Sequence, residues 1–258
     1  MRRLASWVLV CSLLTLPVPS WAGSESDIAC GAPAEYITAD GTLAQVATAI
    51  AGGGPVDVLA VGSATTAGSM TVTGEQTTIA QGSAFPWRMI AALHKALPNV
   101  QFRITVRGGR GLTAEQMLPL IETALKQQRY QLVLWQTGTV EAVRGLRPDG
   151  LLDVLHSGAE QVRDASGDLV LIDPQFSRFL RANTDLDPYE GALQQVATMP
   201  GVALFHRFDL MRIWANDGRI DLERTPKEDR DKALAELNRC LGEALAHFVL
   251  SAVDAQKQ

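Results

Sequence analysis

Short apolar runs alternate along this chain with longer segments whose apolar residues recur every three or four positions. Val56–Gly62 (VDVLAVG), Gln131–Gln136 (QLVLWQ), Asp168–Asp173 (DLVLID) and Val202–Phe205 (VALF) read as strands. Val100–Val106 (VQFRITV) alternates apolar and polar residues, as a strand near a sheet edge does. Helical spacing runs through Phe85–Leu97, with Pro86 in the first turn, and through Thr113–Gln127, with Thr113 as N-cap and Glu115 behind it. Further helices are predicted from about Gly150 to Ala165, over Tyr189–Thr198, and from about Lys227 to Ala252. Strands alternating with helices of this length build βαβ units. The unbroken apolar character of VDVLAV, LVLW and LVLI calls for strands covered on both faces. The fold class is therefore α/β, a three-layer α/β/α sandwich around a parallel five-stranded sheet. In such sheets ligands bind at the carboxyl ends of the strands. That directs attention to Ser63–Gly68, Arg107–Leu112 and Thr137–Ala142.

The N-terminus follows a different pattern. Arg2 and Arg3 precede an apolar stretch from Leu4 to Val18, and Ser20-Trp21-Ala22 supplies small residues for cleavage. This is the layout of a secretory signal peptide over residues 1–22, leaving one domain at 23–258 and a periplasmic or secreted location. The stretch is short for a membrane span and holds Pro17 and Pro19, so no span remains after cleavage. A lipid anchor on Cys11 is the alternative, but Val8-Leu9-Val10 is bulky for it. Cleavage leaves Cys30 and Cys240, which an oxidising compartment would join; two buried free thiols are the other reading. Of 23 basic residues the signal removes two, so 21 face 28 acidic ones, a balance of −7. A mildly acidic chain with no basic block argues against nucleic acid as a partner.

Leu59–Gly68 (LAVGSATTAG) resembles the first block of the SGNH (GDSL-type) hydrolases, in which a strand ends in Gly-Asp-Ser-x-Thr-x-Gly or Gly-Ser-Ser-Ser-Thr-x-Gly. The resemblance continues in family order at Arg107-Gly108, at Trp135–Thr139, at Gly201–Trp214 and at Cys240–Ala246. It implies a flavodoxin-like sandwich and hydrolysis of acyl esters by a serine, without a cofactor. Four positions carry that chemistry, and three of them are altered here. The nucleophile position falls on Ala64, whose methyl group cannot attack a carbonyl. Gly108 keeps the glycine whose backbone N–H helps to hold an oxyanion. The asparagine that supplies a second donor is replaced by Val140, within Gly138-Thr139-Val140-Glu141. The Asp-x-x-His pair falls on Asp229 and Lys232, and a protonated lysine is no general base near neutral pH.

Ser63, one residue before the vacated position, is the one hydroxyl that could substitute, and His206 the one histidine near the right end of the sheet. Their alternative roles are a turn residue and a cap. Thr65, Arg107, Thr139, Glu141 and His206 are the candidates to line the cleft, with Arg110 close by. Trp87, Trp135 and Trp214 could form a sugar-binding wall or simply fill the core. No Cys or His pair has metal-ligand spacing, and neither a dinucleotide nor a phosphate-loop motif is present. Two readings follow. One is an exported pseudoenzyme whose cleft takes an acylated or plain saccharide, or an envelope protein. The other is an active esterase or deacetylase rearranged around Ser63.

Overall fold

In the computed structural model, which describes residues 29–68, 70–73, 76–79 and 83–255, every strand of the main sheet is parallel to its neighbours. Residues 1–22, expected above to be a signal peptide, and Cys11 with them, lie outside the described residues. Strands β1 (Val56–Gly62), β4 (Phe102–Gly108), β5 (Leu132–Gln136), β6 (Asp168–Ile172) and β7 (Val202–Phe205) lie in the order β4-β1-β5-β6-β7. β5 and β6 are buried at every position and β1 at all but Asp57, which is why their sequences do not alternate. β4 is an edge strand, and its mixed exposure matches the alternation of VQFRITV. It starts two residues later than the pattern suggests and runs on to Gly108, because it pairs residue for residue with β1 from Val56↔Phe102 to Gly62↔Gly108.

Helices cover both faces. On one side lie α1 (Ala34–Ile37), α2 (Ala44–Ala51), α4 (Phe85–Ala96) and α11 (Arg230–Asp254), around Leu43, Met89, Leu93, Leu241, Leu245 and Phe248. On the other lie α5 (Ala114–Gln127), α7 (Pro148–Asp164) and α9 (Asp187–Ala197), around Met117, Ile121, Leu155 and Leu193. Thr113 caps α5 as its sequence suggests, its side chain accepting from Gln116 N (3.3 Å). The long final helix begins only at Arg230, after a 3-10 turn at Lys227–Asp229. Gly242 lets α11 approach α4 closely: a Cβ there would lie 2.7 Å from Met89 N.

Several elements escape the sequence pattern: α3 (Ala64–Ala67), the antiparallel hairpin of β2 (Met70–Thr73) and β3 (Gln76–Ile79), α6 (Thr139–Arg144), α8 (Arg178–Asn183) and α10 (Arg207–Asn216). Most are too short to display a helical period. Cys30 and Cys240 form a disulfide with Cα atoms 5.5 Å apart, so the free-thiol reading falls away. Trp135 and Trp214 are fully buried and Trp87 packs partly buried against the core, so neither of the first two walls a cleft. No helix among the described residues is long and apolar enough to cross a membrane.

Candidate functional site

The turn after β1 sits where the sheet's neighbours end. Gly62 pairs with Gly108, and Val61 with Trp135, so the ends of β4, β1 and β5 stand side by side. Gly108 has φ +120°, and a Cβ on it would overlap the carbonyl oxygen of Gly62; only glycine fits. Gly109 N donates to Gly62 O (3.1 Å). The alternation of a parallel ladder therefore turns the N–H of Gly108 itself away from β1.

Ser63 occupies the N-cap of the one-turn helix α3, and Ala64 is its first residue. Ala64 is exposed, and Ser63 and Thr65 are half-buried. The turn is organised by a residue that the sequence pattern did not single out, Gln136, at the last position of β5 and 2% exposed. Its Oε1 accepts from Ser63 Oγ (2.9 Å), Ser63 N (3.3 Å), Thr66 Oγ1 (3.0 Å) and Thr65 Oγ1 (3.2 Å). Two lone pairs cannot serve four donors at once, and Thr65 has the alternative of donating to Ser63 Oγ at 3.2 Å. The Ser63 proton is thus directed at an amide oxygen, which is not a base at neutral pH. A glutamine closing an otherwise apolar strand is the signal that marks this position in the sequence, because a buried amide must find partners.

Beyond Gln136 the chain turns into α6. Thr139 starts the helix with its Oγ1 buried and without a partner, and Val140 follows, half-buried. Glu141 does not line an open cleft. It is 3% exposed, with Oε1 accepting from Ala114 N and from Thr137 Oγ1 (3.2 Å), and Oε2 from Gly138 N (3.0 Å). One carboxylate therefore serves the first turns of both α5 and α6, where orphan amides and the helix dipole favour negative charge. Arg107 is exposed, and its Nη1 donates to Val106 O (3.1 Å). Arg110 is also exposed, in the loop after β4.

Asp229 and Lys232 stand at the start of α11. Asn238 Oδ1 accepts from Phe85 N (3.1 Å) at the start of α4, which places that level of α11 near the strand ends. Lys232 stands six residues earlier, about 9 Å further out along the helix axis. Asp229 and Lys232 are exposed, and no hydrogen bond or ion pair among the described residues links either side chain to Ser63 or Gln136.

Each histidine is engaged elsewhere. His94 Nε2 lies 3.2 Å from Phe102 O, His247 Nδ1 3.3 Å from Ile37 O, and His156 Nδ1 3.8 Å from Glu160. His206 Nδ1 is 3.8 Å from Asp173 Oδ2, and its ring packs edge-on to Tyr36. It follows β7, three strands from β1, a separation of about 14 Å. It faces a groove of about 650 Å³ that Thr38, Asp40, Thr42 and Val202 also line, so the Ser63–His206 dyad does not form.

Near it, Arg207 is buried with its guanidinium over the Phe85 ring, 5.6 Å from the centroid. Its Nη2 donates to Gln175 Oε1 (3.3 Å), while Nε and Nη1 have no partner. Burial pulls its pKa down to about 10, and the nearby Asp173 opposes that shift. Burial raises the Asp173 carboxyl well above the usual range, against the N–H of Phe208 at 2.8 Å. The nearness of these two buried groups is not legible in a sequence, since Asp173 and Arg207 follow different strands.

Structures with this architecture include TesA, with a TM-score of 0.50 at 20% identity over 70% of this chain and 94% of that one. A mutant of an acetyl-xylooligosaccharide esterase from Geobacillus Stearmophilus matches with a TM-score of 0.54 at 16% identity, covering 70% of this chain and 91% of that one. A two-domain esterase active on acetylated mannans, co-crystallized with mannopentaose, matches at 0.60 and 13% identity, over 82% of this chain and 55% of that one. At such identities the likeness establishes the fold. No curated protein sequence matches the chain. The profile of the Non-GDSL lipase-like family matches residues 29–255, a span that holds every described residue, and the chain belongs to that family, within the SGNH/GDSL-type hydrolase superfamily.

Proposed function

We propose that this protein is exported and has given up acyl transfer, keeping the strand-end cleft as a binding site for an acylated or plain saccharide. The observation that carries the reading is Ala64: the nucleophile position is exposed at the head of α3 and bears a methyl group. Three features support it. The nearest hydroxyl, Ser63 Oγ, is bonded to an amide oxygen rather than to a base. Val140 offers no donor where the SGNH hydrolases that the sequence resembles have asparagine. No histidine reaches the turn. The similarity to an esterase active on acetylated mannans suggests the ligand class. The single disulfide accords with an oxidising compartment.

The test is direct. Purified protein is treated with a fluorophosphonate and assayed on an aryl acetate, and is titrated with O-acetylated and plain manno-oligosaccharides. The expected result is no labelling, no turnover above buffer, and measurable saccharide binding. Labelling at Ser63 with burst kinetics would establish the rearranged esterase instead. Inertness with no saccharide binding would turn attention to an envelope protein as the partner. Activity appearing only in the triple variant Ala64→Ser, Val140→Asn, Lys232→His would identify a decayed catalytic site. Export is checked by N-terminal sequencing of the periplasmic or secreted fraction, with Gly23 expected as the first residue.

A further inference from the structure

The carboxyl ends of β6 and β7 carry open space of their own. α10 leaves directly from β7, and α9 runs back to the start of β7 through residues 198–201, so the first turns of both helices lie at the carboxyl end of the sheet. Between those turns and the segment 181–186 opens a cavity of about 710 Å³. It adjoins a second cavity of about 330 Å³, since Arg181, Ala182 and Arg212 line both. Among the described residues, both are walled by 176–190 and 207–216 and not by the turn after β1. Phe208 lines the larger and Phe176 the smaller, and the two rings pack edge to face with centroids 5.4 Å apart. The larger wall mixes groups that can only accept with groups that can only donate. Asp187 and Glu190 enter it from the first turn of α9, Asp209 and Arg212 from α10, and Arg181 from α8. Arg212 is fixed there, with Nε (3.1 Å) and Nη2 (2.7 Å) donating to Asp209 Oδ1. Arg181 is exposed, and its side chain makes no hydrogen bond or ion pair among the described residues. Burial first, then the charges of Asp187 and Asp209, raise the pKa of the half-buried Glu190, with Arg181 opposing.

We infer that these adjoining cavities are a saccharide site, in which sugar hydroxyls pair with Asp187, Glu190 and Arg181 while a ring rests on Phe208. The inference rests on the saccharide reading and deepens it, placing the sugar chain over β6 and β7, three strands or about 14 Å from the vacated turn of β1. The choice of ligand follows from the wall. An acyl chain would find little apolar surface beyond Phe208, Ala182 and Leu186. An anion would meet the carboxylates, and a cation would meet two guanidinium groups. A hydroxyl both donates and accepts, so a polyol alone can pair with every member of a mixed wall. The C–H face of a sugar ring is apolar, which suits the half-buried ring of Phe208. Because Asp209 already holds Arg212, that side chain loses little freedom on binding. A chain of several sugars reaches both cavities and gains the contacts of each.

The test maps the site on the wild-type protein. Backbone amide resonances of 15N-labelled protein are followed while mannopentaose is added. The expected shifts fall in residues 181–190 and 207–212. Shifts confined to residues 62–66 and 138–141 overturn the inference and leave the saccharide reading standing, and no shift anywhere removes both. Calorimetric titration of the double variant Arg181→Ala, Asp187→Ala measures what the wall contributes. Both residues are exposed, so the fold should be kept, and the map on wild type stands independently of the variant. Hydrogen bonds to charged groups are the stronger kind, so losing two should weaken mannopentaose binding by about tenfold or more. An affinity within about twofold of wild type overturns the inference.

Discussion

The hydroxyl of Ser63 donates to the side-chain oxygen of Gln136 at 2.9 Å, a bond that ties the turn after β1 to the end of β5. The bond joins two neighbouring strand ends through one buried amide.

Removing the acceptor should therefore cost stability. Gln136→Leu leaves the Ser63 N–H and the fully buried Thr66 hydroxyl without their partner. Unmade buried bonds cost about 1–3 kcal/mol each, so a loss of roughly 2–4 kcal/mol is expected in urea denaturation. Gln136→Glu should lose less, because the acceptor oxygen remains.

Gly108 allows almost no replacement. At φ +120° a side chain is strained, and a Cβ would also overlap Gly62 O. Gly108→Ala should destabilise by about 3 kcal/mol or more, read as a fall in the denaturation midpoint. Gly109→Ala, whose Cβ meets nothing nearer than 3.9 Å, is the matched control and should cost far less.

The disulfide closes a loop with a sequence separation of 210. In the chain-entropy model that is worth about 5 kcal/mol. Cys30→Ser with Cys240→Ser, or reduction of the native protein, should lower stability towards that limit, and reductant should leave the double variant unchanged.

Asp168 gives a pH dependence at the opposite end of the sheet. Burial raises its pKa to about 6, against two backbone N–H bonds from Val46 (3.0 Å) and Gln45 (2.8 Å). A folded pKa above the unfolded value of 3.8 means the folded state binds the proton more tightly. Its contribution is thus fully present below about pH 4 and is lost as pH rises through about 6. Asp168→Asn should flatten the stability profile across that window, by on the order of 2 kcal/mol once solvent access is allowed for. A profile unchanged in the variant would show that other groups govern the window.

Much of this protein is determined by its sequence alone. Strands buried on both faces must be apolar throughout, so VDVLAVG, LVLWQ and DLVLI announce a central parallel sheet, and the edge strand betrays itself by alternation. The resemblance that sets Ala64 and Val140 at the nucleophile and amide positions is likewise read from sequence: a methyl or an isopropyl group there cannot do the work of a hydroxyl or an amide. Proximity across the sheet was decided only by the tertiary structure. Gln136 and Ser63 are far apart in the chain and meet because β1 and β5 are neighbours. His206 and Ser63 both follow strands and do not meet, because two other strands lie between them. Glu141 reads as a cleft-lining residue, yet its carboxylate turns inward onto the backbone amides that open α5 and α6. Local pattern reports which face a residue occupies, and strand order, which no local pattern encodes, decides what that residue touches.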